Sequence, residues 1–169
     1  MRPRHTLYLL RHAKSDWGDP GLPDHGRPLS PRGERAARDL ATYLRRMGVT
    51  PALVLCSSAL RARQTLGALA ISGEVRYEDA LYGASAGELV ERLQLVPEAT
   101  PSVLLVGHNP GLQELALLLA GEGSAALRAR LGEKFPTGAL VELVFHGPWA
   151  ELAGDGAELT AFIAPRDIA

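Results

Sequence analysis

The sequence predicts an α/β fold of three layers, in which a mostly parallel central sheet carries helices on both faces. Short apolar runs alternate along the chain with longer segments whose apolar residues recur at helical spacing. The chain has 169 residues, of which 46% are hydrophobic and 22% are charged. This length and balance suit a single domain, residues 1–169, that buries one sizeable core.

The predicted strands are short apolar or β-branched runs bounded by polar residues, glycine or proline. They cover residues 6–10, 53–56, 75–77, 103–106, 140–145 and 158–163. Because helical segments separate the earlier strands, we expect those strands to be parallel. A glycine-rich turn separates the last two strands, and we expect them to pair antiparallel at the edge of the sheet.

Serine or asparagine, in two cases with a proline after it, marks the start of several predicted helices. These starts are Ser30-Pro31, Ser57 or Ser58, and Asn109-Pro110. The first two helices are expected to end near Gly48 and Ala70, and a further helix is expected over residues 86–95.

The charge distribution favours an anionic ligand. The formal net charge is −1, yet residues 1–65 carry twelve Lys and Arg against five Asp and Glu. A basic half of this kind attracts anions through its field. Nucleic acid is not an expected partner, because it would need a basic stripe with exposed aromatic residues, and aromatic residues make up only 5% of the chain.

The sequence also predicts a cytoplasmic protein that does not bind membranes. Its longest apolar runs are far below the roughly 18 residues that span a bilayer, and the run at residues 6–10 is too short for a signal peptide. The single cysteine, Cys56, excludes an internal disulfide and fits a reducing compartment.

Histidines and arginines collect where predicted parallel strands end. Arg11 and His12 follow the first strand, Arg61 lies in the helical turn after the second, and His108 follows the fourth. Since open α/β sheets bind ligands beyond the carboxyl ends of their strands, these side chains are expected at one anion-binding rim. Arginine forks hold phosphate oxygens, and a neutral imidazole can attack phosphorus. The pattern therefore indicates phosphoryl chemistry.

Other kinds of site fit the sequence less well. It contains no Gly-x-x-x-x-Gly-Lys-Ser/Thr motif, which excludes a P-loop nucleotide hydrolase. Cys56 ends an apolar strand, so a buried core thiol is a better interpretation than a cysteine nucleophile. A metal site built from His12, His108 and Asp16 lacks the usual ligand spacing, and the nearby arginines would repel a cation. We therefore predict no metal and no organic cofactor.

Four motifs follow one another in the first two thirds of the chain. They are Leu10-Arg11-His12-Ala13-Lys14, Arg27-Pro28-Leu29-Ser30-Pro31-Arg32-Gly33, Ser57-Ser58-Ala59-Leu60-Arg61-Ala62-Arg63-Gln64-Thr65 and Val106-Gly107-His108-Asn109. In this order they resemble the histidine phosphatase superfamily, which has the phosphoglycerate mutase-like fold. The second motif is similar to an element of the small bacterial phosphohistidine phosphatases.

The resemblance implies specific catalytic and phosphate-binding roles. His12 would attack phosphorus and become transiently phosphorylated, and water would then hydrolyse the phosphohistidine. Arg11 and Arg61 would clamp the phosphate oxygens, and Arg27 would add a third guanidinium. His108 would bind the phosphate as well, donating a hydrogen bond to the developing charge.

The resemblance leaves the general acid open. Many members of the superfamily carry a glutamate just before a helical lid, and here either Glu78 or Asp79 would fill that role unless both are solvated loop carboxylates. Asp24 is a further candidate. Only about forty residues separate Thr65 from Gly107, so the lid is expected to be short.

A short lid leaves an open, shallow site, which suits a side chain on another protein better than an enclosed metabolite. The leading hypothesis is a metal-independent phosphatase that forms a phosphohistidine enzyme intermediate and acts on phosphohistidine in a protein. One alternative is a small-molecule phosphomonoesterase that acts on sugar or nucleotide phosphates. Another is a non-catalytic phosphate-binding module. The sequence does not predict an oligomeric state.

Overall fold

The computed structural model describes residues 2–169. A seven-stranded sheet runs through it in the order β3-β2-β4-β1-β6-β7-β5. The strands are β1 Arg4–Arg11, β2 Leu53–Ser57, β3 Glu74–Glu78, β4 Ser102–Gly107, β5 Ala120–Gly123, β6 Leu140–His146 and β7 Ala157–Ile163.

Most neighbouring strands are parallel, as predicted. Strands β1 to β4 pair in parallel with one another, and β5 pairs in parallel with β7, whereas β6 is antiparallel to both β1 and β7. The register of β1 on β4 sets Arg11 opposite Gly107. The next residues, His12 and His108, therefore leave the sheet side by side at its carboxyl edge.

Helices cover both faces of the sheet, which confirms the predicted three-layer fold. They are α1 Pro31–Met47, α2 Leu60–Leu69, α3 Ala86–Gln94, α4 Gly111–Leu119, α5 Ala125–Glu133 and α6 Pro165–Ile168. Residues of α1, α2 and α6 share one apolar cluster with Leu10, and residues of α3, α4 and α5 share another with Leu7 and Leu9. None of the helices formed by residues 2–169 has the length and apolar character needed to cross a bilayer.

The predicted start signals are correct for α1 and wrong for α2. The hydroxyl of Ser30 accepts a hydrogen bond from the backbone N–H of Gly33, and α1 ends at Gly48 in the left-handed region. At α2 the N-cap is Ala59, which offers no side-chain cap. The hydroxyl of Ser57 is instead engaged by the Ala59 N–H and by His108.

The last third of the chain differs most from the sequence expectation. The final two predicted strands do pair antiparallel, but β6 lies against β1 and β5 lies outside β7, so they are not at the edge. Strand β5, α5 and α6 were not predicted. Strand β5 has the four-residue sequence Ala-Gly-Glu-Gly and carries no alternating pattern, and Leu131 is the buried residue of α5.

Candidate active site

His12 is held in a single tautomer at the end of β1. The side chain is 6% exposed, and its Nδ1 lies 2.7 Å from the carbonyl oxygen of Ala13. Because a carbonyl can only accept, Nδ1 carries the proton and Nε2 carries the lone pair. The backbone is fixed too, since the His12 N–H donates to Gly107 and the Gly138 N–H donates to the His12 carbonyl. The ring therefore presents Nε2 as a nucleophilic nitrogen.

Arg61 is the closest cationic partner of His12. It lies in the first turn of α2, is 8% exposed, and places Nε 3.3 Å from His12 Nε2. Its Nη1 and Nη2 donate to the carbonyl oxygen and the carboxylate of Asp24, at 2.7 and 3.0 Å. One turn later, Thr65 donates to the Arg61 carbonyl and accepts from the Ala13 N–H. Helix α2 thus positions both the guanidinium and the segment that carries the nucleophile.

His108 and Arg11 add polar atoms that have no partner within residues 2–169. His108 Nε2 lies 2.7 Å from the hydroxyl of Ser57, and its ring centroid is 5.1 Å from that of His12, while its buried Nδ1 is unpaired. Arg11 donates from Nη1 to the carbonyl of Phe135, while its buried Nε is unpaired. Buried polar atoms are rarely left without a partner, so the Nε–H of Arg11 is suited to a bound anion, and so is Nδ1 of His108 when the Ser57 hydroxyl donates to Nε2 and leaves the ring proton on Nδ1.

The surroundings keep both imidazoles neutral at physiological pH. Burial lowers the pKa of His12 to about 4, and the nearby charges of Arg61 and Arg11 oppose protonation further. Burial, followed by the proximity of His12 and Arg61, lowers the pKa of His108 to about 3. Burial also lowers the pKa of the Arg11 guanidinium. His12 is therefore an unprotonated base at neutral pH, as a nucleophile must be.

These side chains line an open cavity of about 340 Å³. Its walls are Arg11, His12, Lys14, Ser15, Trp17, Arg61, His108, Asn109 and Thr137. Trp17 stands at the rim with 63% of its surface exposed, and its indole N–H donates to the hydroxyl of Ser15 at 2.9 Å. The cavity therefore combines a cationic interior with an aromatic edge that faces solvent.

Arg27 is buried but faces the loop after β1 rather than the cavity. Its Nη1 and Nη2 donate to the carbonyl oxygens of Asp19 and Leu22, at 3.0 and 3.1 Å. The guanidinium stacks on the Trp17 ring, 4.1 Å from the ring centroid. Here Arg27 orders the loop that carries Trp17 and Asp24, and its direct contact with phosphate stays a prediction.

None of the three general-acid candidates is among the residues that line the cavity, and two of them also lie away from the side chains around His12. The carboxylate of Glu78 accepts from Nε and Nη2 of Arg92 at 2.7 and 2.9 Å, which ties β3 to α3. Asp79 is exposed and begins a short 3-10 turn. Neither carboxylate contacts His12, Arg61 or His108 within the described part of the chain.

Asp24 is at the site, together with Tyr82, which the sequence analysis missed. The Tyr82 hydroxyl donates to Asp24, and its ring meets His108 edge-on at 5.4 Å. This hydrogen bond, followed by the bond from Arg61, holds the pKa of Asp24 below its usual range, and the same bond raises the pKa of Tyr82. The sequence signal that could have found Tyr82 is its position just after the carboxyl end of parallel strand β3, where residues of a ligand site are expected.

Comparison with known families identifies this arrangement. The model of the histidine phosphatase superfamily (branch 1) matches residues 7–136. The chain belongs to the histidine phosphatase superfamily. An uncharacterized protein of Mycobacterium tuberculosis is 42% identical over 159 residues, which are 93% of this chain and 100% of that relative. The prediction of a phosphatase is thereby confirmed.

Two solved structures are similar to this histidine phosphatase over nearly its whole length. The candidate phosphohistidine phosphatase SixA from Nakamurella multipartitia is 36% identical, with a TM-score of 0.87 over 96% of each chain. The candidate SixA from Agrobacterium tumefaciens is 32% identical, with a TM-score of 0.81 over 98% of this chain and 100% of that one. These likenesses confirm the predicted phosphoglycerate mutase-like fold.

Proposed function

We propose that this phosphatase removes the phosphoryl group from phosphohistidine in a partner protein, by way of a phosphohistidine intermediate at His12 and without a metal ion. The observation that carries the proposal is the fixed tautomer of His12. Its Nδ1–H donates to the carbonyl of Ala13, and its Nε2 lone pair accepts a 3.3 Å hydrogen bond from Nε of Arg61, which a phosphoryl group would replace. A neutral imidazole in this state is a competent nucleophile at neutral pH.

The reaction takes two displacements at phosphorus. In the first, Nε2 of His12 forms a bond to phosphorus while the substrate P–N bond breaks, and the substrate imidazole, already protonated on its other ring nitrogen, leaves as neutral imidazole with that electron pair. In the second, water attacks phosphorus and releases a proton to solvent, the bond to Nε2 breaks and returns its electron pair to His12, and inorganic phosphate leaves. Arg61, Arg11 and His108 supply N–H donors to the phosphoryl oxygens, whose charge must be stabilised in both steps.

The state of Asp24 favours a leaving group that needs little help from an acid. An alkoxide leaving group requires a proton donor, and a carboxylic acid with a raised pKa commonly supplies it. Here the pKa of Asp24 is lowered by its bonds from Tyr82 and Arg61. The P–N bond of phosphohistidine is labile once protonated, so an ionised Asp24 is compatible with that substrate.

The openness of the cavity favours a substrate presented on a protein. Trp17 is exposed at the rim, and the chain between α2 and β4 holds only β3, a 3-10 turn and α3. The candidate phosphohistidine phosphatases at 36% and 32% identity support the same substrate class. Small phosphomonoesters are the alternative substrates, and a cytoplasmic location stays a prediction from the sequence.

The first test is phosphate release from an aryl phosphate in EDTA. The parent enzyme is expected to keep its activity, and His12→Ala is expected to lose about a thousandfold or more, because the nucleophile is gone. His146→Ala is the matched control, since His146 is exposed at the far end of β6, and it should match the parent. Loss of activity in EDTA would contradict the metal-free mechanism. Activity retained in His12→Ala would contradict the assignment of His12 as the nucleophile.

The second test compares substrate classes. The value of kcat/KM is measured on a phosphohistidine peptide, on a phosphoserine peptide and on a panel of sugar and nucleotide phosphates. We expect the phosphohistidine peptide to lead by about a hundredfold or more, a difference of about 3 kcal/mol in transition-state binding. A higher kcat/KM on any metabolite would overturn phosphohistidine as the proposed substrate and leave the His12 mechanism intact.

A further inference from the structure

A second groove adjoins the cavity at His12. It has a volume of about 510 Å³ and shares Lys14 and Thr137 with the walls of that cavity. We call it the basic groove, after the charged residues in its walls. These are Lys14, Arg32, Arg130, Lys134, Arg166 and a single acid, Glu133.

Most of these cations have no acidic partner. Arg130 forms an ion pair with Asp167 at 2.9 Å and lies over the ring of Phe162. The other four cations make no ion pair with any residue from 2 to 169. The groove therefore holds five cations against Glu133 in its wall and Asp167 beside Arg130 and Arg166, and this excess of positive charge favours a ligand of opposite charge.

The cations converge from separate parts of the fold. Lys14 comes from the loop after β1, Arg32 from the first turn of α1, Lys134 from the end of α5, and Arg166 from α6. The wall between them includes the buried aromatic ring of Phe162. A groove of about 510 Å³ that combines several cations with the apolar wall of Phe162 matches a peptide segment better than a single inorganic ion.

We propose that the basic groove binds acidic side chains of the partner protein, next to the phosphohistidine that enters the cavity at His12. The shared wall at Lys14 and Thr137 makes the two surfaces continuous, so one partner can fill both. The chain has a net charge of only −1, so attraction of an acidic partner depends on this local surface. This inference depends on the proposed function in one respect, which is that the group hydrolysed in the cavity is phosphohistidine.

The test uses two synthetic peptides of equal length, each with a central phosphohistidine, flanked by glutamate in one and by serine in the other. At low salt the parent should show a kcat/KM about tenfold higher on the acidic peptide, through a lower KM, and added salt should reduce that preference. The double variant Arg32→Glu/Arg166→Glu should lose the preference while its rate on an aryl phosphate is unchanged.

The matched control is Arg35→Glu/Arg128→Glu, which changes the charge equally at exposed arginines of α1 and α5 outside the groove. It should keep the parent's preference. The proposal is wrong if the parent does not distinguish the two peptides. It is also wrong if the two double variants shift the preference equally, because the effect would then come from net charge.

Failure of the proposed function gives a different result. In that case neither phosphopeptide is hydrolysed, and the groove is tested by fluorescence anisotropy with a labelled, unphosphorylated acidic peptide. The parent and the Arg35→Glu/Arg128→Glu control should bind this peptide with equal affinity, and Arg32→Glu/Arg166→Glu should bind it about tenfold more weakly. Equal affinities in all three proteins would overturn the groove proposal.

Discussion

The two ends of the sheet contribute to the site in different ways. The motif half, residues 4–119, supplies the side chains around the nucleophile, including His12, Arg61 and His108. The closing half, residues 120–169, adds Thr137 to the cavity wall and supplies backbone atoms that hold the site in place. The carbonyl of Phe135 accepts from the side chains of Arg11 and Asn109, and the Gly138 N–H donates to the carbonyls of Arg11 and His12.

This difference shows what a sequence can reveal about a site. A side chain that reacts must be of one type, so the motif half displays its chemistry in its residue types. A backbone carbonyl can be supplied by almost any residue, so the support from Phe135 leaves no mark in the sequence. Gly138 donates its N–H from a left-handed conformation with φ of 76°, so its only mark is a glycine, which does not reveal the partner. Substitutions in the motif half should therefore change the rate far more than comparable substitutions in the closing half.

The largest effect that sharpens this comparison is expected for Arg61→Lys. Lysine keeps the charge, but its single ammonium cannot donate at once to His12, to the backbone carbonyl of Asp24 and to the Asp24 carboxylate, as the planar guanidinium does. We expect kcat/KM on an aryl phosphate to fall by about a hundredfold to a thousandfold. Arg63→Lys, two residues further along and exposed, should match the parent. A loss of less than about tenfold would show that phosphate binding does not depend on the guanidinium of Arg61.

A pair of helical glycines gives the next largest contrast, this time in stability. A Cβ at Gly33 of α1 would clash with the carbonyl oxygen of Lys14, whereas a Cβ at Gly132 of α5 would meet no atom of residues 2–169 within 4 Å outside its chain neighbours and its own helix backbone. Gly33→Ala should lower the free energy of unfolding by about 3 kcal/mol, because the backbone after His12 must move. Gly132→Ala should raise it by about 0.5 kcal/mol.

Urea denaturation followed by circular dichroism measures both changes. Activity on an aryl phosphate should fall together with stability in Gly33→Ala, since the shifted segment carries Lys14 and the nucleophile. If Gly33→Ala were as stable as the parent, the close approach of α1 to the loop after β1 would be wrong.

The sequence predicted the motif half nearly in full. Most of its strands are apolar runs, α1 begins at the clear signal Ser30-Pro31, and its reactive side chains follow strand ends, where open α/β sheets bind ligands. The start of α2 at Ala59 is the exception, since no capping side chain marks it. The position of Arg61 in the first turn of α2 was also predicted correctly. Each of these features depends on residues close together in the chain.

The features that escaped prediction depend on contacts between distant residues. The direction of Arg27 is set by the carbonyls of Asp19 and Leu22 and by the ring of Trp17. Tyr82 reaches Asp24 from 58 positions away. The place of β6 beside β1 is a matter of topology, and no local pattern distinguishes that position from the sheet edge.

The two halves meet at His12, and the burial that results predicts an unusual pH dependence. An ordinary histidine with a pKa of about 6.5 would lose about tenfold of its neutral form by pH 5.5. With a pKa of about 4, His12 should remain neutral at that pH. NMR titration of the ring Cε1–H signals, assigned with His12→Gln and His108→Gln, measures these values directly.

The same shift links acid to stability. Because the unfolded chain binds protons at a higher pH than the folded His12 does, the free energy of unfolding should fall as the pH drops from about 6.5 towards about 4. His12→Gln should make that fall shallower. Titration of His12 near pH 6.5 in the folded protein would contradict its burial by the two halves.

The smallest expected effect is that of Tyr82→Phe, which keeps the ring against His108 and removes the hydroxyl that donates to Asp24. The pKa of Asp24 should rise towards its ordinary value, and kcat on an aryl phosphate should fall by about threefold, as expected for one lost hydrogen bond. Tyr77→Phe, on the exposed side of β3, should have no effect. A loss of about a hundredfold would instead make the Tyr82 hydroxyl a proton donor in the reaction, so the motif half would hold a second reactive side chain that no motif predicts.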